Sequence, residues 1–360
     1  MSWQDKLRKV EPYQAGEQPK IKNLIKLNTN ENPYDPGCLV KEAINQFDSS
    51  QLPLYPNPDA DDLKHSMALY HGLKDSQVFL GNGSDEVLAL TFLTCFNGEA
   101  PVLFPDISYS FYPVYCELYQ MNYQMVPLNE NFEIVKEDYY QENSGIIFPN
   151  PNAPTGLLVT LDFIEDILKH NPDSIVVIDE AYIDFGGESA VSLLEKYENL
   201  LIIQTFSKFR SLAGIRLGVA LGNPTLISKL YDVKNSFNSY PIDRLAQVIG
   251  KASMDDSDYI QKNAQKIIKT REYTKDKLKA LGFEMPDSYA NFIFVKHPDY
   301  DAQTLFTQLR ERGILVRYFA KPRINQYLRI TIGTQQQMET LILTIEDIFK
   351  RKISFLSFFC

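Results

Sequence analysis

The chain is short of the residues that build metal centres and covalent frameworks. Its four cysteines (Cys38, Cys95, Cys116, Cys360) stand far apart, with no CxxC pair. That spacing excludes a zinc ribbon or a disulfide framework as the organising device. The four histidines (His65, His71, His170, His297) show no ligand spacing either, so no metal is expected. No apolar run reaches the roughly 18 residues of a membrane span, and the opening MSWQDKLRKV is too polar for a secretory signal. Cations are in deficit, with 36 Lys and Arg against 46 Asp and Glu, a net charge of −10. That argues against a nucleic-acid surface but permits a local basic pocket for an anion. Repeats and low-complexity segments are also absent. The expectation is a soluble, cytoplasmic protein with no nucleic-acid, membrane or metal partner. The apolar tail ISFLSFFC is short and receives no function.

Composition is ordinary for a globular chain, 44% hydrophobic and 23% charged, and 360 residues suit one large domain plus a smaller one. From about residue 75, apolar runs alternate with helical patterns. QVFLG, PVLF, YQMVPL, GIIFPN, SIVVIDEAY, LLIIQT and GVALG read as strands. SDEVLALTFLTCF, SYSFYPVYCELY and LDFIEDILKH read as helices. The strand runs are continuously apolar, which predicts a sheet covered by helices on both faces. Strands separated by helices predict right-handed crossovers and a mainly parallel sheet. A charged helical stretch beginning near Tyr259 leads to a second α+β unit. There Phe292 to Val295, Ile314 to Tyr318 and Tyr327 to Ile332 read as strands, and Ala302 to Arg312 as a helix. The expected division is a large domain, 31–255, and a small one, 256–360, joined by the N-terminal arm 1–30.

In open α/β sheets, ligand crevices lie beyond the carboxyl ends of strands. After QVFLG comes NGSDE. Gly83 permits close approach, and the amides of Ser84 and Asp85 would stand at a helix N-terminus, a ready phosphate site. A plain glycine turn with Ser84 as N-cap explains the same residues. After GIIFPN comes PNAPTG, a rigid loop whose asparagines face a ligand or merely shape a turn. Asp179 ends the apolar run Ile175 to Ile178. It has a cationic partner or several donors there, or it is an exposed strand-end acid. Tyr182 lies three residues on. Lys208 follows LLIIQT, either as a dry nucleophilic amine or as an ordinary surface lysine. Arg216 keeps its proton and suits phosphate or carboxylate. Gly214 is expected to give the chain room to turn Arg216 back, and Arg210 to lie at the surface or the pocket rim. A carboxylate, a lysine 29 residues on and an arginine eight further on, all at strand ends, fit one cofactor. Pyridoxal phosphate needs a lysine, an acid for its ring nitrogen and a phosphate cradle.

The motifs NTNENPY, YPNPDADDLK, GNGSDE, NPNAPTG, DEAYIDF, SKFRSLAGIRLG and YLRITIGT resemble those of the fold-type I pyridoxal-phosphate aminotransferases (class II subgroup). The closest likeness is to the branch that transaminates histidinol phosphate, and it runs over nearly the whole chain. The resemblance implies that Lys208 carries the cofactor, Asp179 holds its ring-nitrogen proton and Tyr182 bonds its ring hydroxyl oxygen. It implies that Tyr109 stacks on the ring, and that Ser84 and Asp85 (through backbone), Ser207 and Arg216 hold the phosphate. Tyr55 would reach the phosphate of a second subunit, which implies a homodimer with shared sites. Arg329 would bind the substrate anion with Arg317 and Tyr13. The implied reaction interconverts L-histidinol phosphate plus 2-oxoglutarate with imidazole-acetol phosphate plus L-glutamate, in histidine biosynthesis. A broader or aromatic aminotransferase, a threonine-phosphate decarboxylase and a non-catalytic binding protein on the same fold are the competing readings. One position departs from the family: its loop asparagine is Ala153 here, and Asn152 is expected to take over the ring-oxygen contact.

Overall fold

The computed structural model describes residues 2–20 and 23–359, with side chains as far as Arg351. The apolar tail falls in the helix Gln335–Phe359, and its side chains lie outside the described residues. The strands are β1 (Ile25–Lys26), β2 (Val78–Asn82), β3 (Val102–Pro105), β4 (Tyr123–Val126), β5 (Gly145–Pro149), β6 (Val176–Asp179), β7 (Leu200–Thr205) and β8 (Leu217–Gly222). They continue with β9 (Phe292–Val295), β10 (Ile314–Leu315), β11 (Arg317–Tyr318) and β12 (Leu328–Thr331). Seven form one sheet in the order β2-β8-β7-β6-β5-β3-β4. A second sheet has the order β11-β12-β9, and β1 pairs with β10.

Residue alternation decides what each face of the large sheet packs against. Leu103, Ile146, Phe148, Ile178 and Ile202 pack with Leu63 and Met67 of the helix Asp61–His71 and with Ile164 and Ile167 of Leu161–His170. Phe104, Ile147, Val177 and Ile203 pack on the other side with Val87 and Phe92 of Gly83–Cys95 and with Tyr112 and Tyr115 of Tyr112–Tyr119. Both faces are therefore dry, as the unbroken apolar runs predict. The helix Leu161–His170 shows why such segments fold as they do. Thr160 caps it by accepting from the Phe163 N–H, Ile164, Ile167 and Leu168 recur at helical spacing on the buried side, and Lys169 and His170 sit at the negative end of the dipole.

Three expectations shift. β8 runs antiparallel to both β7 and β2, because residues 206–216 return it without a covering helix. The helix expected from Ser108 begins only at Tyr112, with Pro113 in its first turn, so residues 108–111 remain loop. The strand expected from Ile314 to Tyr318 divides at Val316: β10 pairs with β1, and β11 pairs with β12.

Candidate active site

A cavity of about 200 Å³ opens where β5, β6 and β7 end, lined by their last residues, Pro149, Asp179 and Thr205. Tyr13, Ser84, Asp85, Tyr109, Tyr182, Ser207, Lys208, Arg216, Arg317 and Arg329 all line it, so ten expected positions besides Asp179 converge there.

At one end lies the N-terminus of Gly83–Cys95. Gly83 has φ +79°, and a Cβ on it would lie 2.5 Å from an Arg216 nitrogen. A Cβ on Gly218 would lie 2.4 Å from the Ser84 nitrogen. Both glycines are needed for the helix end, its amides and the arginine to crowd together. Arg216 donates to the Asp85 carboxylate at 2.9 Å. The same carboxylate accepts from the Tyr109 hydroxyl at 2.7 Å, and the Asp85 carbonyl accepts from Tyr115 at 2.9 Å. Asp85 therefore organises this end with its side chain as well as its backbone, which the sequence pattern did not indicate. Gly214 lies in the turn 212–215, closed by the Ile215 N–H donating to the Leu212 carbonyl at 3.0 Å, and a Cβ there would meet nothing within 4 Å. Arg216 itself takes the left-handed conformation, at φ +58°.

Asp179 is buried at 4% exposure, and its described partners are neutral: the Tyr112 hydroxyl at 2.9 Å and the Ala181 N–H at 3.3 Å. Burial pushes its carboxyl up to about 6, against the opposing pull of those two donors. A buried carboxylate with no paired cation is poised to receive one. Tyr112 is a site residue that sequence reasoning missed. Lys208 donates to the Thr29 carbonyl at 3.0 Å. Burial first, then the positive charge of Arg329, brings its amine down to about 8. Lys208 is therefore a half-buried lysine lining the cavity, not a surface one.

Across the cavity, β11 and β12 place Arg317 directly opposite Arg329 in antiparallel register. Like charges facing each other across strands are destabilising unless an anion lies between them. Arg329 donates to the Asn28 carbonyl at 3.0 Å, and its guanidinium lies 5.3 Å from the Phe292 ring centroid. Its Nε is buried with no described partner. Tyr13 stacks on Phe111 at 4.2 Å, which brings the arm against the pocket.

Two expectations do not hold as stated. Asn152 does not line the cavity: its amide nitrogen donates to the Ile107 carbonyl at 3.0 Å and to the Thr155 hydroxyl at 3.1 Å, while Ala153 faces in. Arg210 is neither surface nor rim. It is 5% exposed, sits over the Tyr70, Phe206 and Phe209 rings and donates to the Ser253 carbonyl. Tyr55, expected to serve a second subunit and not this cavity, is 77% exposed and stacked on Tyr240 at 4.8 Å.

Among the described residues no group of His, Cys, Asp and Glu could hold a metal, and no helix is long and apolar enough to cross a membrane. Residues 22–345 match the family described as aminotransferase class I and II. A histidinol-phosphate aminotransferase from Lactococcus lactis subsp. cremoris is 58% identical over 352 residues, covering 98% of this chain and 99% of that one. The crystal structure of the histidinol-phosphate aminotransferase from Clostridium acetobutylicum superposes with a TM-score of 0.83 at 25% identity, over 91% of this chain and all of that one. The Sinorhizobium meliloti histidinol-phosphate aminotransferase, solved in complex with pyridoxal-5'-phosphate, gives a TM-score of 0.83 at 22% identity, over 91% of each chain.

Proposed function

The chain belongs to the class I and II aminotransferases, and we propose that it transfers the amino group of L-histidinol phosphate to 2-oxoglutarate, giving imidazole-acetol phosphate and L-glutamate for histidine biosynthesis. The observation that carries this reading is the Arg317–Arg329 pair standing across one cavity from a half-buried lysine and a buried carboxylate with no paired cation.

The cavity fits pyridoxal phosphate from end to end. Ser84, Asp85 and Ser207, with Arg216, supply donors and charge for its phosphate. Tyr109 supplies a ring face, Tyr182 a hydroxyl for the ring oxygen and Asp179 a negative charge for the ring nitrogen. Lys208 supplies the amine that attaches it. When bound, the cofactor withdraws electrons from the substrate's amine-bearing carbon, so that carbon gives up a proton. The chain does the rest. Lys208 would be the base and then the acid that moves this proton. Its lowered basicity leaves more of it uncharged near neutral pH than an ordinary lysine would be. Arg329 and Arg317 hold the far anionic group, phosphate in one half-reaction and carboxylate in the other, because a guanidinium fork matches both. Holding that group orients the reacting C–H toward Lys208. Tyr13 closes the outer side. In this reading, segment 31–255 carries the cofactor groups, and 256–360 with the arm supplies the substrate groups.

The test compares amino donors. Histidinol phosphate should exceed phenylalanine and threonine phosphate in kcat/KM by about 100-fold, the scale on which a pocket separates substrates by the fit of their side chains. Arg329→Ala should raise KM about 100-fold for both histidinol phosphate and glutamate. Preference for phenylalanine would support an aromatic aminotransferase. Release of carbon dioxide from threonine phosphate would support a decarboxylase.

The same reading makes the active form a cytoplasmic homodimer. Leu52, Leu54, Tyr55, Phe237, Tyr240 and Val248 are exposed apolar side chains, and a second copy would cover such a surface. Arg244 holds the loop that presents Tyr55 by donating to the Leu54 and Tyr55 carbonyls, at 3.1 and 2.6 Å. Sedimentation should give twice the chain mass, and Tyr55→Phe should weaken cofactor affinity about tenfold, the loss of one charged hydrogen bond. A monomeric mass with full activity would rule the shared site out.

A further inference from the structure

Tyr182 meets the segment Asn30–Asn32 in a way that the reaction outlined above does not use. Asn30 is buried at 1% exposure and Thr331 at 2%. The backbone N–H of Asn30 donates to the Thr331 hydroxyl oxygen at 3.0 Å. An N–H can only donate, so the hydroxyl hydrogen must point elsewhere. It points to the Asn30 side-chain oxygen, 3.0 Å away. That contact settles which end of the amide is oxygen, an assignment that rests on the hydrogen-bond network. The nitrogen end therefore donates to the Tyr182 phenol oxygen at 2.9 Å. Asn291 anchors the segment by donating to the Asn30 carbonyl at 2.9 Å, and Phe292 stands edge-on to the Tyr182 ring at 5.0 Å. Because the phenol oxygen accepts from Asn30, its own hydrogen is directed away from Asn30, and Tyr182 lines the cavity.

That direction matters because a donor is missing nearby. The family's loop asparagine is Ala153 here, and the Asn152 amide is committed to Ile107 and Thr155. We propose that Thr331 and Asn30 are positioning residues that fix the Tyr182 hydroxyl hydrogen toward the cofactor's ring oxygen, making good the donor that Ala153 removes. The proposal rests on the reading of the cavity as a pyridoxal phosphate site. Asn30→Asp keeps the shape but replaces the donor with an acceptor, which would draw the Tyr182 hydrogen out of the pocket. Thr331→Val frees the amide to turn over, and Thr331→Ser keeps it fixed.

The readout is the absorbance of the holoenzyme against pH, which reports when the cofactor–lysine link loses its proton. Without that proton the ring oxygen bears its negative charge unshared, so a lost donor moves the titration upward. The expected shift is about one pH unit or more for Asn30→Asp, as large for Tyr182→Phe and smaller for Thr331→Val, with Thr331→Ser unshifted. Asn30→Asp should add nothing in a Tyr182→Phe background, because both changes remove the same donor. A shift that persists there would be the effect of the new charge alone and would overturn the proposal. Unshifted Asn30→Asp and Thr331→Val, beside a shifted Tyr182→Phe, would overturn it too. Should Asn30→Asp take up no cofactor, the Thr331 pair decides. Failure of the wild-type protein to form any chromophore with pyridoxal phosphate would instead overturn the reading of the site.

Discussion

Lys208→Ala should keep its fold and some affinity for pyridoxal phosphate, and should lose at least about 10⁴-fold in kcat, the combined scale of a missing nucleophile and a missing general base. The residual affinity comes from groups the substitution leaves in place, the helix end at Gly83, Arg216 and Asp179. Borohydride treatment of the wild-type protein should fix the cofactor irreversibly to Lys208, and the variant should release it on denaturation. The amine's lowered basicity adds a pH signature. Capture of the cofactor needs the uncharged amine. With Lys208 at about 8, capture by the cofactor-free protein should rise with pH and level off a little above 8. An ordinary lysine would keep accelerating toward 10. Retained turnover at the wild-type rate, or a capture rate still climbing at pH 10, would remove Lys208 from the centre of the site.

Lys208, Asp179 and Arg216 were legible in the sequence because their signal is local. Each is an ionisable residue next to an unbroken apolar run, and such a run ends at the mouth of a sheet. The groups that support them were not legible, because their contacts join distant segments. Tyr112 reaches Asp179 across 67 positions, Asn30 reaches Tyr182 across 152, and Thr331 reaches Asn30 across 301. NTNENPY could be recognised as a family motif without any hint that Asn30 aims a tyrosine. Arg210 shows the same limit from the opposite side. Its neighbours Phe206 and Phe209 are visible in the sequence, but Tyr70 and the Ser253 carbonyl, which complete its enclosure, are not. The antiparallel β8 escaped because strand spelling carries no direction. Only the missing helix between Thr205 and Leu217 hinted at it.

Asp179→Asn should lower kcat by at least about 10³-fold while leaving KM for histidinol phosphate within a few-fold, because the protonated ring nitrogen that the carboxylate maintains matters most as the substrate's C–H bond breaks and electrons move toward the ring. In the free site this carboxyl is raised to about 6 by burial. A cation placed beside it reverses that effect, holding the carboxylate ionised and the cation protonated together. An asparagine of the same shape keeps the Tyr112 contact and loses the charge, so the cofactor's ring nitrogen drops its proton and ceases to draw electrons from the substrate carbon. Tyr112→Phe is the graded control. It removes one hydrogen bond from an otherwise intact carboxylate and should cost about tenfold. A cofactor methylated on its ring nitrogen carries the positive charge permanently and does not depend on a carboxylate to keep it. Loaded into the Asp179→Asn variant, it should restore a large part of the lost rate. Recovery with this analogue would assign the loss to charge at the ring nitrogen. A loss that the analogue leaves unchanged would mean that Asp179 acts by shaping the pocket floor instead.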